Sequence, residues 1–228
     1  MAHGTILFDL DGTLVDSAGD LAASLDVLMA EKGLPPIGLE TGRTLIGHGI
    51  ANLVRGALTL RGVNGTEEDV ASDLARFMAI YGARLTAITR PYPGVPEALS
   101  LLQGEGWRMG VCTNKREAFA RAIVDDLALA PFFSIVSGPD TFGVSKPDPR
   151  QLLETAKAAG GASPVFFVGD SEVDVVSAKA AGYPVIALTY GYSKVPLASL
   201  SPDALLGSFS EVPAAIYRLL GKPAPLGM

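Results

Sequence analysis

Short apolar runs, each followed by polar or glycine residues, constrain the fold of this sequence more than any other feature. Strands that are buried on both faces are apolar at nearly every position. Helical stretches separate several of these runs, which is typical of a parallel sheet covered by helices on both faces. We therefore predict an α/β fold with a Rossmann-like, mostly parallel sheet, whose strands are residues 5–8, 108–112, 133–136, 165–168 and 184–188.

One long segment, from about residue 18 to about residue 89, departs from this alternation because it has no convincing strand pattern. Residues 20–32 and 67–85 carry apolar side chains at helical spacing. Thr66, followed by acidic residues, is typical of a helix N-terminus. We expect an inserted all-helical cap domain at residues 17–90, and an α/β core made of residues 1–16 and 91–228. An insert at this place lies over the carboxyl ends of the strands, where open α/β sheets bind ligands.

The charge and composition of the chain exclude some classes of partner. The formal net charge is -6 and the pI is about 4.9, so we do not expect the protein to bind nucleic acid or an anionic membrane surface as its main function. The sequence has no apolar run near the ~18 residues of a membrane span and no secretory signal pattern. The single cysteine, Cys112, suits a reducing compartment. We expect a cytoplasmic monomer or homodimer that binds a small molecule.

Polar residues follow four of the apolar runs, at the points where the strands end. Because the carboxyl ends of parallel strands share one edge of the sheet, side chains that are far apart in sequence can meet there. The four groups are Asp9-Leu10-Asp11-Gly12-Thr13, Thr113-Asn114-Lys115, Ser145-Lys146-Pro147 and Gly169-Asp170-Ser171 with Asp174.

The carboxylates of these groups indicate a metal site. Asp9 and Asp11 leave a strand two residues apart and tend to point to the same side, which is costly unless a cation offsets the repulsion. Asp170 and Asp174 would add further oxygen ligands. A set of oxygen ligands without His or Cys favours Mg²⁺ over zinc. We therefore expect Mg²⁺ to be held by Asp9, Asp11, Asp170 and Asp174.

Hydrogen-bond donors accompany the carboxylates. Lys146, the hydroxyls of Thr13 and Thr113, and the backbone N–H groups of the turn at Asp11 and Gly12 suit an anion with several oxygens, such as a phosphoryl group. Each element also has an ordinary interpretation: the aspartates as turn or cap residues, and Lys146 as a solvated loop lysine. Four such groups in order, each after an apolar strand, favour a functional site.

The four groups resemble the motifs of the haloacid dehalogenase-like hydrolase superfamily. DLDGT is similar to its first motif, the Thr of CTNK to the second, the Lys of SKPDP to the third and GDSEVD to the fourth. The helical insert resembles the mobile cap of that superfamily. Members that transfer phosphate keep the second aspartate, so Asp11 favours phosphoryl chemistry over dehalogenation.

The resemblance implies a role for each matching residue. Asp9 would be the nucleophile that forms an aspartyl-phosphate, and Asp11 the acid and base. Asp9, the backbone carbonyl of Asp11, and Asp170 would hold Mg²⁺, with Asp174 orienting the metal ligands. Thr113 and Lys146 would bind phosphoryl oxygens.

The leaving group of the substrate is the least constrained feature. Residues 42–49, GRTLIGHG, form either a substrate-facing loop that displays Arg43 and His48 or an ordinary turn between helices. Asn114 and Lys115 are further candidates for substrate binding, although a solvated first helical turn is an equally good interpretation of Lys115.

Several longer stretches, among them PYPGVPEAL and SGPDTFGVSKPDP, resemble the phosphoglycolate phosphatase family, which implies hydrolysis of 2-phosphoglycolate to glycolate and phosphate. The alternatives are a capped phosphatase for a sugar phosphate, nucleotide or pyrophosphate, a β-phosphoglucomutase-like phosphotransferase, and a non-catalytic binding module on the same fold.

Overall fold

The computed structural model describes residues 3–47, 49–63 and 66–222. Its strands, numbered along the chain, are β1 (Thr5–Phe8), β2 (Val15–Asp16), β3 (Arg90–Pro91), β4 (Arg108–Cys112), β5 (Ile135–Ser137), β6 (Val165–Gly169), β7 (Val185–Leu188) and β8 (Ala204–Leu206). Six of them form one parallel sheet in the spatial order β5-β4-β1-β6-β7-β8. This sheet confirms the predicted fold class.

The helices are α1 (Ala18–Glu31), α2 (Leu39–Arg43), α3 (Ile50–Leu60), α4 (Glu67–Gly82), α5 (Val95–Gly104), α6 (Glu117–Asp126), α7 (Pro139–Phe142), α8 (Pro149–Ala158), α9 (Glu172–Ala181) and α10 (Val212–Leu219). Within the described ranges, every helix is too short or too polar to span a lipid bilayer.

Both faces of the sheet are covered, which explains the uninterrupted apolar runs. In β1, Ile6 and Phe8 belong to one buried cluster, together with side chains of α5 and α10. Leu7, between them, belongs to a second cluster on the opposite face, built with side chains of α8 and α9. Successive side chains of a strand point to opposite faces, so each strand contributes to both clusters.

The predicted strand bounds are close to the observed ones, with one clear displacement. The third predicted strand, 133–136, is observed as Ile135–Ser137. Phe133 instead closes a turn, because its N–H donates to the carbonyl of Ala130 at 3.1 Å. The sequence also predicts a helix over residues 117–129, but the observed helix ends at Asp126. Ala128 has a φ of 57°, which is incompatible with a continuing right-handed helix.

The inserted segment contains α1 to α4, and no strand lies between β2 and β3 in the described part of the chain. Its helices share a buried interior that includes Leu25, Met29, Phe77 and Tyr81. Thr66 caps α4 as expected: its Oγ1 accepts from the Asp69 N–H at 3.2 Å. The sequence also predicts a turn at Asn64 and Gly65, before this helix, and these two residues lie outside the described residues.

The two connections between the inserted helices and the sheet run side by side. Val15 pairs with Pro91 and Asp16 with Arg90, so β2 and β3 form a short antiparallel ribbon. The chain thus enters and leaves the helical segment at one place. The division into a cap at residues 17–90 and a core made of the remaining residues stays a prediction.

Candidate active site

The site lies at the carboxyl end of β1, where the chain connectivity changes direction. From β1, one series of connections leads through β4 to β5 and the other through β6 and β7 to β8. Helices diverge at such a switch point and leave a crevice beyond the strand ends. Asp9 is the first residue after β1, and its N–H donates to the carbonyl of Val168 in β6 at 2.9 Å. The sheet therefore fixes the backbone that carries Asp9.

Three predicted metal ligands meet in this crevice. One carboxylate oxygen each from Asp9, Asp170 and Asp174 lies within 4.8 Å of the other two, and all three residues are buried. Lys146 lies between two of them, with Nζ 3.0 Å from Asp9 Oδ1 and 2.7 Å from Asp174 Oδ1. Three buried carboxylates with one ammonium leave two negative charges without a partner when all groups are ionised.

The electrostatics of the cluster reflect this imbalance. Burial is the largest cause that raises the pKa of Asp9 to about 6, with Asp174 adding to the rise and Lys146 opposing it. Burial, followed by the charges of Asp174 and Asp9, also raises the pKa of Asp170 well above its usual range. The pKa of Lys146 is raised by Asp174 and Asp9, against the effect of its own burial, so it stays an ammonium ion.

Asp170 is fixed from two sides. Its Oδ1 accepts from the hydroxyl of Thr13 at 2.6 Å, and its Oδ2 accepts from the backbone N–H of Tyr192 at 2.7 Å. Gly12 and Gly191 pack directly against the same carboxylate, because a Cβ on either would lie 2.3 Å or less from Asp170 Oδ2. Gly12 also has a φ of 83°, a conformation that favours glycine. Thr13, expected to bind an anion, here orients a carboxylate.

Asp174 is more fully occupied by protein donors. Its Oδ2 accepts from the backbone N–H groups of Asp170 and Ser171, at 3.1 and 3.0 Å, and from the Ser171 hydroxyl at 2.6 Å. Its Oδ1 accepts from Lys146. Asp174 therefore organises the start of α9 and holds Lys146, and it has less free ligand capacity than Asp9 or Asp170.

The cluster fits a hard dication. Its donors are carboxylate oxygens, which Mg²⁺ prefers, and they carry the uncompensated charge that a dication would neutralise. The close approach of Gly12 and Gly191 to Asp170 keeps that carboxylate in place. Asp9 and Asp170 are the residues with the most open ligand positions.

Asp11 takes a separate partner. Lys115 Nζ lies 2.7 Å from Asp11 Oδ2 and 2.9 Å from Oδ1, and the hydroxyl of Ser17 donates to Oδ1 at 2.5 Å. The Lys115 side chain is only 2% exposed, which excludes the interpretation of Lys115 as a solvated helix-start residue. The charge of Asp11 is thus offset by Lys115, whereas the acidic cluster is built from Asp9, Asp170 and Asp174.

The loop after β4 supports Lys146. The side-chain amide of Asn114 donates to the carbonyl of Lys146 at 3.0 Å and accepts from its N–H at 2.9 Å. Gln151 in α8 also accepts from the Lys146 N–H at 2.8 Å, and it donates to the carbonyl of Thr113 at 2.8 Å. These bonds tie the predicted second and third motifs together. A hydrogen bond from Thr113 to Asp9 lowers the pKa of Asp9.

A cleft opens between this site and the helical segment, with an empty volume of about 450 Å³ including its mouth. The core side is polar, and Lys115 is the cationic residue among the described lining residues. The opposite wall is mainly apolar and comes from α1, α3 and the residues before α3. The lining residues are Asp9, Asp11, Leu21, Ile46, Gly47, Gly49, Ile50, Leu53, Thr113, Asn114 and Lys115.

The two predicted cap residues differ in how the structure places them. Arg43 does not line the cleft; its guanidinium donates to Asp16 Oδ2 at 2.8 Å, at the β2–β3 ribbon. His48 lies outside the described residues, although Gly47 and Gly49 on either side of it line the cleft.

Sequence reasoning did not identify several residues that shape the site, notably Ser17, Gln151, Gly191 and Tyr192. Gly191 and Tyr192 follow β7, a strand that was predicted, so their position at the carboxyl edge of the sheet was an available signal. Ser17 and Gln151 lie in helical or capping contexts, where polar residues have many other uses.

Comparison with known proteins agrees with this architecture. The family model described as haloacid dehalogenase-like hydrolase matches residues 6–188. The chain belongs to this family, which confirms the resemblance seen in its four motifs. The match includes all four of those motifs together with the helical segment between the first and the second.

Curated relatives extend over nearly the whole chain. The chain is 38% identical over 223 residues to the phosphoglycolate phosphatase of Caulobacter vibrioides, covering 97% of this chain and 94% of that protein. It is 44% identical over 211 residues to the phosphoglycolate phosphatase of Pseudomonas syringae pv. syringae, and the match covers 91% of this chain and 77% of that protein. A solved structure from Haemophilus somnus, described as a predicted phosphoglycolate phosphatase, has a TM-score of 0.86 at 32% identity. The match covers 92% of this chain and 96% of that one.

Proposed function

We propose that this chain is a Mg²⁺-dependent phosphomonoesterase that hydrolyses 2-phosphoglycolate through an aspartyl-phosphate on Asp9. The observation that carries the proposal is the position of Asp9, which belongs to the acidic cluster and also lines the cleft. A phosphate ester bound in the cleft would have its phosphorus next to the Asp9 carboxylate. Asp9 Oδ1 already accepts from the backbone N–H of Leu10 at 2.7 Å, so its orientation is set.

The proposed reaction has two displacements at phosphorus. In the first, a carboxylate oxygen of Asp9 attacks the phosphorus and the bond to the ester oxygen breaks. Asp11, which takes up a proton when the ester binds, gives that proton to the leaving oxygen. In the second, water attacks the phosphorus and gives a proton to Asp11, and the bond between the phosphorus and Asp9 breaks. Inorganic phosphate and the alcohol leave, and both aspartates return to their starting states.

Charge neutralisation is the main requirement of such a reaction. Lys146, buried beside Asp9, offsets part of the charge of the nucleophile and of the incoming phosphoryl group. Thr113 lines the cleft together with Asp9 and would donate to a phosphoryl oxygen. Mg²⁺ held by Asp9, Asp170 and the backbone carbonyl of Asp11 would neutralise charge on the transferring group, and Asp174 would keep Lys146 and the start of α9 in place.

The choice of 2-phosphoglycolate rests on the relatives and on the shape of the cleft. The relatives named phosphoglycolate phosphatase are 37% to 44% identical to this chain over most of its length. A cleft of about 450 Å³ including its mouth, with a mainly apolar wall from the helical segment, suits a small leaving group. We propose a small phosphorylated metabolite as the partner of the cleft.

A panel of phosphate esters, ranked by kcat/KM with Mg²⁺ and with EDTA, tests the proposal. The panel contains 2-phosphoglycolate, a sugar phosphate, a nucleotide, pyrophosphate and p-nitrophenyl phosphate. We expect 2-phosphoglycolate to rank first and EDTA to abolish turnover. A higher kcat/KM for another ester would identify that ester as the preferred substrate and would leave the assignment as a phosphatase unchanged. Phosphate transfer to an added sugar phosphate would identify a phosphotransferase, and no turnover of any ester would favour a binding module.

A further inference from the structure

Tyr192 occupies a junction between the acidic cluster and the helical segment. Its backbone N–H donates to Asp170 Oδ2 at 2.7 Å, so the loop after β7 holds one of the two most open metal-ligand positions. Its side chain points away from the cluster, toward the start of the helical segment, and the residue is only 7% exposed. One buried residue therefore contacts both the candidate metal ligand and the connection to the cap.

The phenol group of Tyr192 makes two hydrogen bonds at that connection. Its hydroxyl donates to Asp16 Oδ1 at 2.6 Å, at the end of β2. The same oxygen accepts from the N–H of Ala18 at 3.1 Å, at the first residue of α1. Ser17, the N-cap residue of α1, makes no side-chain capping bond to the helix. The Ala18 N–H also donates to Asp16 Oδ1 at 3.3 Å, so Tyr192 supplies a second, shorter acceptor bond for the first residue of α1.

A second inserted helix reaches the same point through Arg43, in α2. The guanidinium donates to Asp16 Oδ2 at 2.8 Å, and its central carbon lies 5.7 Å from the centroid of the Tyr192 ring. The Asp16 carboxylate therefore has Tyr192 on one oxygen and Arg43 on the other. An ion pair as exposed as Arg43–Asp16 contributes little to stability on its own, whereas the Tyr192 phenol beside it belongs to a buried residue.

We infer that Tyr192 is a positioning residue that sets how the inserted helices sit over the acidic cluster. The phenol fixes β2, the start of α1 and, through Asp16, α2, while the backbone of the same residue holds Asp170. The apolar wall of the cleft includes Leu21 of α1, so this junction determines where that wall lies relative to Asp9. This inference deepens the proposed function, because it treats the cleft as the place where substrate binds.

The expected consequence of losing the phenol oxygen follows from a shift in population. Without its hydrogen bonds, the inserted helices would occupy additional positions in which the wall does not cover the cluster. When only a fraction of molecules is competent to bind, the apparent dissociation constant rises by the inverse of that fraction. Saturating substrate restores the competent state, so KM should rise while kcat changes little.

The chain provides a matched control for Tyr192→Phe. Tyr217 is equally buried, and its hydroxyl also donates to a carboxylate, Glu105 Oε2, at 2.7 Å. We expect Tyr192→Phe to raise the KM for 2-phosphoglycolate by about 3- to 10-fold, with kcat within about 2-fold, and Tyr217→Phe to leave both unchanged. Equal KM values in the two variants, with equal losses of thermal stability, would overturn the inference.

The double variant separates a shared junction from two independent contacts. If Arg43 and Tyr192 act through Asp16, Arg43→Met combined with Tyr192→Phe should raise KM no more than the larger single effect. Multiplication of the two single effects would contradict the inference. If the wild-type chain does not turn over 2-phosphoglycolate, the same comparison is made with the phosphate ester that it hydrolyses best.

A measurement without activity keeps this test independent of the proposed function. Amide hydrogen exchange is followed in peptides that cover the start of α1 and the α2 region, for wild type, Tyr192→Phe and Tyr217→Phe. We expect Tyr192→Phe alone to speed exchange in both regions, although the phenol bonds no backbone group of α2. Faster exchange confined to the start of α1 would show that Tyr192 stabilises only the N-terminus of that helix, and it would overturn the proposed coupling to α2.

Discussion

Lys115 points its ammonium group at the carboxylate of Asp11, with Nζ 2.7 Å from Oδ2 and 2.9 Å from Oδ1. The same Nζ lies 4.9 Å from the centroid of the Tyr81 ring, which belongs to α4 of the inserted segment. A core lysine thus contacts the proposed acid and base on one side and an inserted helix on the other. Asp11 is held in place by a group that is itself buried between the two parts of the chain.

Replacing Lys115 with Met should therefore displace Asp11 and weaken proton transfer. We expect kcat for 2-phosphoglycolate to fall about 100-fold, within the range that general acid–base catalysis contributes. The p-nitrophenol burst from p-nitrophenyl phosphate should fall much less, because that leaving group departs without a proton. Stopped-flow and steady-state assays measure the two effects.

The control for Lys115→Met is Lys157→Met, which removes an exposed lysine that pairs with Glu154 at 3.7 Å. This variant should behave like wild type. Thermal unfolding verifies that each variant is folded, since removing one member of a buried ion pair also destabilises the protein. Equal losses for the two esters would argue against a role of Lys115 in placing Asp11.

Asp9→Asn should abolish turnover while the fold survives. An amide cannot act as the carboxylate nucleophile, and the position of Asp9 after β1 leaves its backbone hydrogen bond to Val168 intact. Phosphate release should fall to the background rate, and circular dichroism should match wild type. Near-normal kcat in a folded variant would refute the assignment of Asp9 as nucleophile.

The stability of the metal-free protein should depend on pH in an unusual direction. Burial raises the pKa of Asp9 to about 6 in the folded state, against about 3.9 for an aspartate in an unfolded chain. The folded state then binds the proton more tightly, so stability should fall as pH rises from about 4 to about 6. Asp170, whose pKa is also raised, acts in the same sense.

Calorimetry in EDTA and in Mg²⁺ checks this expectation. We expect the Tm in EDTA at pH 7 to lie several degrees below its value near pH 5, and Mg²⁺ to restore it at pH 7 by binding the ionised carboxylates. Asp9→Asn should show a weaker pH dependence in EDTA. A metal-free Tm that increases steadily between pH 5 and pH 7 would contradict the raised pKa values.

His48→Ala should reduce turnover of 2-phosphoglycolate more than turnover of p-nitrophenyl phosphate. The prediction comes from the Gly-His-Gly sequence at residues 47–49, whose two glycines line the cleft. The ratio of kcat/KM for the two esters is the measurement, and His3→Ala, at the far end of the sheet near Glu105, is the control. An unchanged ratio would remove His48 from substrate selection.

Much of the core could be predicted from the sequence because its strands are buried on both faces. The bounds of β1 and β4 were predicted without error, since their apolar runs begin and end abruptly. The helix α3 was not predicted, although Leu53, Val54 and Ala57 have helical spacing and are buried. The two-residue strands β2 and β3 are too short to produce any periodic pattern.

The order of apolar runs and polar residues predicts that carboxylates, a threonine and a lysine gather at one edge of a parallel sheet, because polar residues follow strands that must all end there. Which partner each of these groups takes depends on how the strands and helices pack. Asp11 pairs with Lys115, Asp170 is held by Thr13 and Tyr192, and Arg43 binds Asp16 instead of lining the cleft. A shift of about one or two ångströms decides which partner a polar group contacts. Those positions depend on strand order and helix packing, which the local sequence pattern does not encode.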